Sequence, residues 1–507
     1  MDMPVLFASS GKKIVFVKYG TYFCPSTYYQ IIVSNITKKS YWLKSGFYTL
    51  SERLAIMVFG FGGAMLLFRA LPKADFGYWV AFLTIVAVLE VGRIGLLQNA
   101  LVKYLATSEE EDYAKITTAS VWLNLLLTGF MVLCLWFLAP LLCIWLNAEI
   151  LIPLLKIYCL TTILLIPYFQ FNFIQQANLD FKGIFWSSFG KQGLMFCYVV
   201  FIFLFTDHIS LIELALFQLV TASFGSIISY SFAKKYLRFN WQLNWDWVKK
   251  LFHYGKYVFG TNLSTMLYKS IDKMMLLAIP IAGPVAVALY EAAIKVTNLT
   301  DVPTFSMANI LFPQSARRMD EGKEAVKMLY EKAVGAILTV MIPCIIGVMV
   351  LAEIIISVLA GEEYFQAANL LRLTILYGLF MPFAIQFGTV LDSIGKPKIN
   401  FFMTLLSMIM NVIFNYIFIT QYGVYGAAYG TLLTYSLTFI LMQFILHKEL
   451  KVNAFRAFFY MFEFYGLAYN TGIKYLKKQK KINLNPSPIN NGDSPISNIS
   501  PKDVPFN

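Results

Sequence analysis

Charge is scarce in this chain. Of 507 residues only 14% are charged, against 58% that are hydrophobic. A water-soluble protein with that balance cannot cover its apolar surface. Histidine is scarcer still: His208, His253 and His447 lie far apart and form no catalytic cluster. The cysteines (Cys24, Cys134, Cys143, Cys159, Cys197 and Cys344) are scattered, most of them inside apolar runs, and no pair has metal-ligand spacing. In such runs cysteine behaves as a small hydrophobe, so no disulfide framework, zinc site or redox site is read and no cofactor is expected. The absence of a nucleotide-binding motif argues against an ATP-driven pump. No cleavable signal peptide is visible, so the first apolar run is expected to act as an uncleaved anchor.

Long apolar runs are what the chain has instead. A helix needs roughly 20 apolar residues to cross about 30 Å of hydrocarbon. Runs of that kind place spans near 47–71, 76–101, 118–144, 149–176, 183–206 and 210–233, and again near 257–279, 284–312, 328–352, 367–392, 399–420 and 423–446. The fold class expected is therefore an all-α polytopic membrane protein of about twelve transmembrane helices in two six-helix lobes. The high aromatic share, 17%, suits interfacial belts and a wide lumen.

The net charge of +13 would suggest nucleic acid in a soluble protein. Here it follows topology, because basic loops are held on the cytoplasmic side. Alternate loops carry Lys103 and Lys115; Lys182; Lys234, Lys235 and Arg238; Arg317, Arg318 and Lys323; Lys396 and Lys398; Lys448 and Lys451. The opposite loops are short and nearly free of Lys and Arg, Lys73 being the exception. Both termini are basic and are expected in the cytoplasm, which requires an even number of spans. No nucleic-acid partner is expected.

The organisation read from these patterns is an N-terminal extension over 1–45, a first lobe over 46–236 and a basic linker over 237–256. A second lobe covers 257–450. Residues 451–481 read as an interfacial amphipathic segment followed by a basic region, and 482–507, rich in Asn, Pro and Ser, as a disordered tail. Residues 1–45 are either a true cytoplasmic extension or the product of a start assigned too early.

The two sets of six spans resemble each other. The segment LLKIYCLTTILLIPYFQFNFIQQANLDFKGIFW from Leu154 pairs with LLRLTILYGLFMPFAIQFGTVLDSIGKPKINFF from Leu370. Each has a cation after Leu-Leu (Lys156, Arg372), a mid-span proline (Pro167, Pro382) and a closing basic loop (Lys182, Lys398). LPKADFGYWVA around Tyr78 likewise pairs with IPIAGPVAVALYEAA around Tyr290, the offset being about 210–216 residues throughout. Six-span repeats place a substrate site between two lobes near the membrane midplane.

Several of these segments, in order, resemble the oligosaccharide flippases (Wzx-like), the polysaccharide-transporter branch of the MATE-like MOP superfamily. LLFRALPKADFGYW at 66–79 is similar to that family's first-loop signature, and LEVGRIGLLQNALVKYLA at 89–106 to its second span, with Glu90 where an Asp is more usual. YKSIDKMMLLAI with VALYEAAIKVTNL resembles spans seven and eight, and 395–436 resembles spans eleven and twelve, including Asn411 and Asn415. The resemblance covers roughly 40–450. It implies a flippase that moves polyprenyl-pyrophosphate-linked oligosaccharide from the cytoplasmic to the outer leaflet by alternating access, for O-antigen, capsule or exopolysaccharide assembly. It also implies a cationic lumen, location in the cell inner membrane, and membrane lipids and other polysaccharide assembly proteins as partners.

Charges inside the spans fall in the same region. An ionisable group at mid-span costs about 2.5–3.5 kcal/mol on insertion scales, so it faces a lumen or a partner. Arg93, Lys269, Lys273 and Lys295 are the candidate substrate-binding residues, since an anionic headgroup in a low-dielectric lumen needs counter-charge. Asp272, Glu291 and Asp301 are candidates for coupling to H+ or Na+. Glu52, Arg53 and Arg69 read better as pairs that fasten helices. Pro167, Pro280, Pro303 and Pro382 are either hinges or the ordinary prolines of membrane helices. Gln170, Gln175, Gln176 and Gln386 either bind sugar hydroxyls or, as favoured, hydrogen-bond between helices.

Other functions compete. A drug/cation antiporter on the same scaffold would favour an acidic or apolar cavity. A membrane polymerase or ligase of lipid-linked sugars would need a sizeable outer loop bearing Arg, His or carboxylates, whereas these loops are short except around Glu353–Gln366. An uncoupled lipid scramblase fits the same sequence features.

Overall fold

A computed structural model of the chain describes residues 39–206, 209–240 and 242–466. The expectations for 1–38, for His208 and for 467–507 lie outside the described residues. The described residues form helices and connecting turns, with no strand among them.

The first set of helices is α1 (Lys39–Ala70), α2 (Lys73–Thr107), α3 (Glu110–Trp145), α4 (Leu151–Ala177), α5 (Phe181–Phe205) and α6 (Leu211–Ala233). The second is α7 (Trp245–Ala278), α8 (Gly283–Thr297), α9 (Asp301–Arg318), α10 (Lys323–Ala360), α11 (Ala367–Thr374), α12 (Tyr377–Ser393), α13 (Pro397–Tyr422) and α14 (Val424–Leu450). A further helix, α15, covers 454–466. Helices suit lipid because each satisfies its own backbone hydrogen bonds. Among the described residues, ten helical segments are long and apolar enough to cross a membrane. α7 and the α8–α9 pair fall short, because they carry the charges that the sequence placed inside spans. These two stand where the sequence reading placed the other two of its twelve spans.

Local chemistry explains the breaks. Gly322 (φ 107°) and Gly361 (φ 89°) bound α10, both in the left-handed region that favours glycine. Pro303 sits in the first turn of α9, where a missing N–H is tolerated, and it withholds the bond that would carry α8 straight through Asn298–Thr300. The expected continuous span over 284–312 is therefore two helices joined by a 3-10 turn. The expected span over 367–392 is present as one membrane-crossing segment, Ala367–Ser393, with a turn between α11 and α12. α4 and α12 run through Pro167 and Pro382 without interruption, and Pro280 lies in the α7–α8 connection.

Two further differences from the sequence reading concern the flanks. α1 begins at Lys39, two turns before its apolar span, which covers Phe47–Ala70. α15 has one face packed on protein rather than on lipid alone. Ala457 and Met461 are buried in a cluster with Val334, Leu338, Phe383 and Leu446. The Asn453 N–H donates to the Glu331 carboxylate at 2.9 Å, and the Tyr465 hydroxyl donates to the Thr339 carbonyl at 2.7 Å. Phe455, Phe459 and Phe462 form the exposed face of α15.

The two sets meet along α2, which touches α7 toward the basic-loop end and α8 toward the other. A Cβ added at Gly255 of α7 would come within 1.8 Å of the Leu96 carbonyl oxygen, so the two helix backbones are in direct contact there. Tyr104 packs on Trp247 and Tyr254 at ring separations of 5.7 and 6.0 Å. At the opposite end Arg69 of α1 donates to the Val358 carbonyl at 2.7 Å, and Phe68 stands edge-on to Tyr364 at 5.0 Å. Asn147 donates to the Ala278 carbonyl at 3.2 Å, also across the two sets. Both ends of the seam are thus fastened, with a cavity between them.

Candidate substrate cavity

Spacings of three and four residues put Lys269, Asp272 and Lys273 on one face of α7, and Glu291 and Lys295 on one face of α8. The break at Asn298–Thr300 makes Asp301 the first residue of α9, where an acid also complements the helix dipole. These residues interlock. Lys269 pairs with Asp301 at 2.9 Å. Lys273 pairs with Glu291 at 2.8 Å, and Lys295 approaches the other oxygen of the same carboxylate at 3.7 Å. All six ionisable residues line one cavity of about 510 Å³. Six of the seven residues singled out from the sequence are therefore brought together.

The lumen is not net basic as the family resemblance implied. Its three lysines are matched by three carboxylates. The physical reason is that cations packed closely at low dielectric repel one another unless acids stand between them.

Asp272 is the acid left over. No cation lies within ion-pair distance of it among the described residues. Its carboxylate instead accepts from Asn415 Nδ2 at 2.5 Å, Tyr290 Oη at 2.7 Å and Thr431 Oγ1 at 3.1 Å. Asn411 extends the cluster, donating to Thr431 at 3.0 Å and accepting from Asn415 at 3.1 Å. The Asn415 Oδ1 is buried without a donor. Asp272, Tyr290, Asn411 and Thr431 also line the cavity, so this oxygen-rich cluster opens onto it.

Arg93 is not brought to the cavity. It is 4% exposed and lies inside the first set, donating to Glu90 at 2.6 Å, Thr128 at 3.2 Å and the Thr162 carbonyl at 3.0 Å. The Phe169 ring lies 4.6 Å beneath its guanidinium. Glu90 in turn accepts from Tyr158 at 2.5 Å and Thr162 at 3.1 Å. This arrangement ties α2, α3 and α4 together. The sequence showed that Glu90 and Arg93 share a helix face, but not which way that face points.

The remaining polar residues fasten helices, with different partners from those expected in two cases. Glu52 accepts from Ser188 at 2.8 Å rather than pairing with Arg53, and Arg69 is bound by backbone carbonyls. Gln170 donates to Ser120 at 2.6 Å, Gln175 to Ser229 at 3.0 Å and Gln386 to the Thr304 carbonyl at 2.9 Å, and Gln176 accepts from Gln98 at 2.9 Å. All four glutamines join helices. Two others, Gln192 and Gln218, line the cavity and were missed from the sequence, where each is the single amide of its span and no spacing singles it out from the neighbouring polar residues.

Two helix sets facing each other across a central cavity define the class: the fold is that of the MATE-like transporters of the MOP superfamily. An inward-facing multidrug resistance MATE family transporter superposes with a TM-score of 0.69 at 17% identity, over 78% of this chain and 94% of that one. The lipid II flippase MurJ, in an inward closed conformation, superposes with a TM-score of 0.66 at 15% identity, over 82% of this chain and 90% of that one. These likenesses establish the fold. Residues 66–369 match the family of polysaccharide biosynthesis proteins, and this chain belongs to that family. It is similar to the lipopolysaccharide biosynthesis protein WzxC of Escherichia coli K12, 22% identical over 80% of each chain. It is also similar to a probable low-salt glycan biosynthesis flippase, Agl15, of Haloferax volcanii, 23% identical over 40% of this chain and 43% of that one.

Proposed function

We propose that this protein is a flippase that carries a polyprenyl-pyrophosphate-linked oligosaccharide from the cytoplasmic to the outer leaflet by alternating access, for surface polysaccharide assembly. The observation that carries the reading is the cavity itself: three lysines, each held by a carboxylate, between two helix sets of a polysaccharide biosynthesis family member. A pyrophosphate headgroup entering there exchanges lysine–carboxylate pairs for lysine–phosphate pairs, so it is bound without leaving cations bare in the empty state. The protein acts as a carrier rather than an enzyme. It sits in the cell inner membrane with both termini in the cytoplasm.

Asp272 is the coupling group in this reading. A buried carboxylate with no cation in contact is held as an ion only by neutral donors, and its oxygen-rich surroundings suit H+ or a hard monovalent cation such as Na+. Uptake of either neutralises the cluster, and its release biases the helices that share it, α7, α8, α13 and α14.

Deletion in the native host tests the reading. The expected result is loss of a surface glycan with accumulation of lipid-linked repeat units on the cytoplasmic side. Unchanged surface glycan in a host without a paralogue would overturn it.

A further inference from the structure

The two walls of the cavity are chemically unlike. Every lysine, aspartate and glutamate of the lining lies on α7, α8 or α9; the wall made by the first helix set has none. That wall is apolar, with Phe59, Leu83 and Phe196 on it, and it is interrupted by two amides, Gln192 on α5 and Gln218 on α6. Neither amide has a side-chain hydrogen-bond partner among the described residues, whereas Gln170, Gln175, Gln176 and Gln386 are each bonded to a neighbouring helix. An amide in a membrane protein is costly unless it is paired or faces a wet lumen. Gln192 and Gln218 face the lumen, and nothing in the packing around them calls for an amide.

We infer that Gln192 and Gln218 form a sugar-reading subsite, which holds the first sugars of the cargo against the first helix set while the pyrophosphate sits on the opposite, charged wall. This rests on the flippase reading above. An amide offers two donors and one acceptor, a match for neighbouring sugar hydroxyls, and it is neutral, so it does not compete for the headgroup. Gln192 and Phe196 are four residues apart on α5, hence on one face. The Phe196 and Phe59 rings are 5.5 Å apart, an aromatic surface suited to the C–H face of a pyranose. Amides beside aromatic faces, opposite cations, make a cavity that distinguishes glycosylated from bare lipid pyrophosphate.

The test uses purified full-length protein in nanodiscs and two probes: bare polyprenyl pyrophosphate, and lipid-linked oligosaccharide extracted from the native host. Affinities are compared for the wild type, a Gln192→Met/Gln218→Met double variant and Lys295→Ala. Met keeps the volume and removes the amide, so folding is preserved. The expected result is about a tenfold weaker affinity of the double variant for the glycosylated probe, equivalent to about 1.4 kcal/mol, with affinity for the bare probe unchanged. Lys295→Ala weakens both. Wild-type affinity of the double variant for both probes, or equal loss for both, overturns the subsite while leaving the flippase reading intact. Failure of the wild type to bind either probe overturns both.

Discussion

The Glu291 carboxylate joins Lys273 at 2.8 Å and is shared with Lys295 at 3.7 Å, so one acid restrains two cations on the cavity wall. The two bonds are unequal. Lys273 is held across the α7–α8 gap and its side chain is 17% exposed; Lys295 is held loosely on the same helix and is 31% exposed. The looser lysine is the one free to turn toward an incoming anion.

That inequality separates two substitutions. Lys295→Ala leaves the Lys273–Glu291 pair in place, so membrane levels stay normal while surface glycan is lost in a complementation assay. Glu291→Gln strips the counter-charge from both lysines at once. Removing one partner of a fully buried pair costs about 3–5 kcal/mol; facing a wet cavity, this one costs less. Glu291→Gln is therefore expected to melt several degrees below Lys295→Ala. Equal melting temperatures would show that Glu291 does not restrain the lysines.

Asp272→Asn is expected to uncouple transport. Asn is isosteric and retains hydrogen bonds to Tyr290 and Thr431, but it cannot exchange a proton or balance a cation. The wild type should be stabilised by the coupling ion, measured as a melting shift between Na+ and K+ buffers or across pH, and the variant should not. A response to Na+ or pH that is identical in Asp272→Asn would place the coupling site elsewhere.

How much of this could be read from the sequence depends on which physical signal carried it. The spans were legible because hydrocarbon demands long apolar runs, and the charged seventh and eighth because their lysines and acids recur at helical spacing. Pairing across helices left no such signal: that Lys269 meets Asp301, or that Asn415 and Thr431 bond to Asp272, depends on residues 32, 143 and 159 positions apart. Arg93 shows the limit most directly. Its spacing from Glu90 was correct, yet its guanidinium is taken up by partners on α3 and α4 and does not line the cavity. The lumen's neutrality was obscured because family resemblance weighs the cations, while repulsion between them is relieved only in three dimensions.

Closure at the end opposite the basic loops rests on Arg69. Its guanidinium donates to the Val358 carbonyl at 2.7 Å near the C-terminus of α10, where a free acceptor and the helix dipole both favour a cation; the Ser357 carbonyl, 3.5 Å away, also accepts from the Gly361 N–H. An exposed charged contact of this kind contributes up to about 1 kcal/mol, enough to shift a two-state gate several-fold. Arg69→Ala should therefore populate the outward-open form. A cysteine placed at Ala64, which lines the cavity, should react faster with a membrane-impermeant thiol reagent added from outside when Arg69 is absent. Unchanged labelling would mean that Phe68–Tyr364 and the other contacts close that end without it.

The α2–α7 seam makes a prediction about packing. At Gly255 a Cβ would sit 1.8 Å from the Leu96 carbonyl oxygen, and because that atom is backbone it cannot rotate away. Gly260, one to two turns further along the same helix, has nothing within 4 Å of an added Cβ. Gly255→Val is expected to force α7 off α2, lowering both membrane levels and melting temperature. Gly260→Ala should leave both close to wild type, and its helix propensity adds up to about 1 kcal/mol in its favour. Gly255→Ala, the same substitution at the crowded position, should also lower both, so a large difference between the two alanine variants measures the closeness of the seam. If Gly255→Val accumulates and melts like the wild type, α2 and α7 do not touch in the resting protein, and the cavity is open along that side.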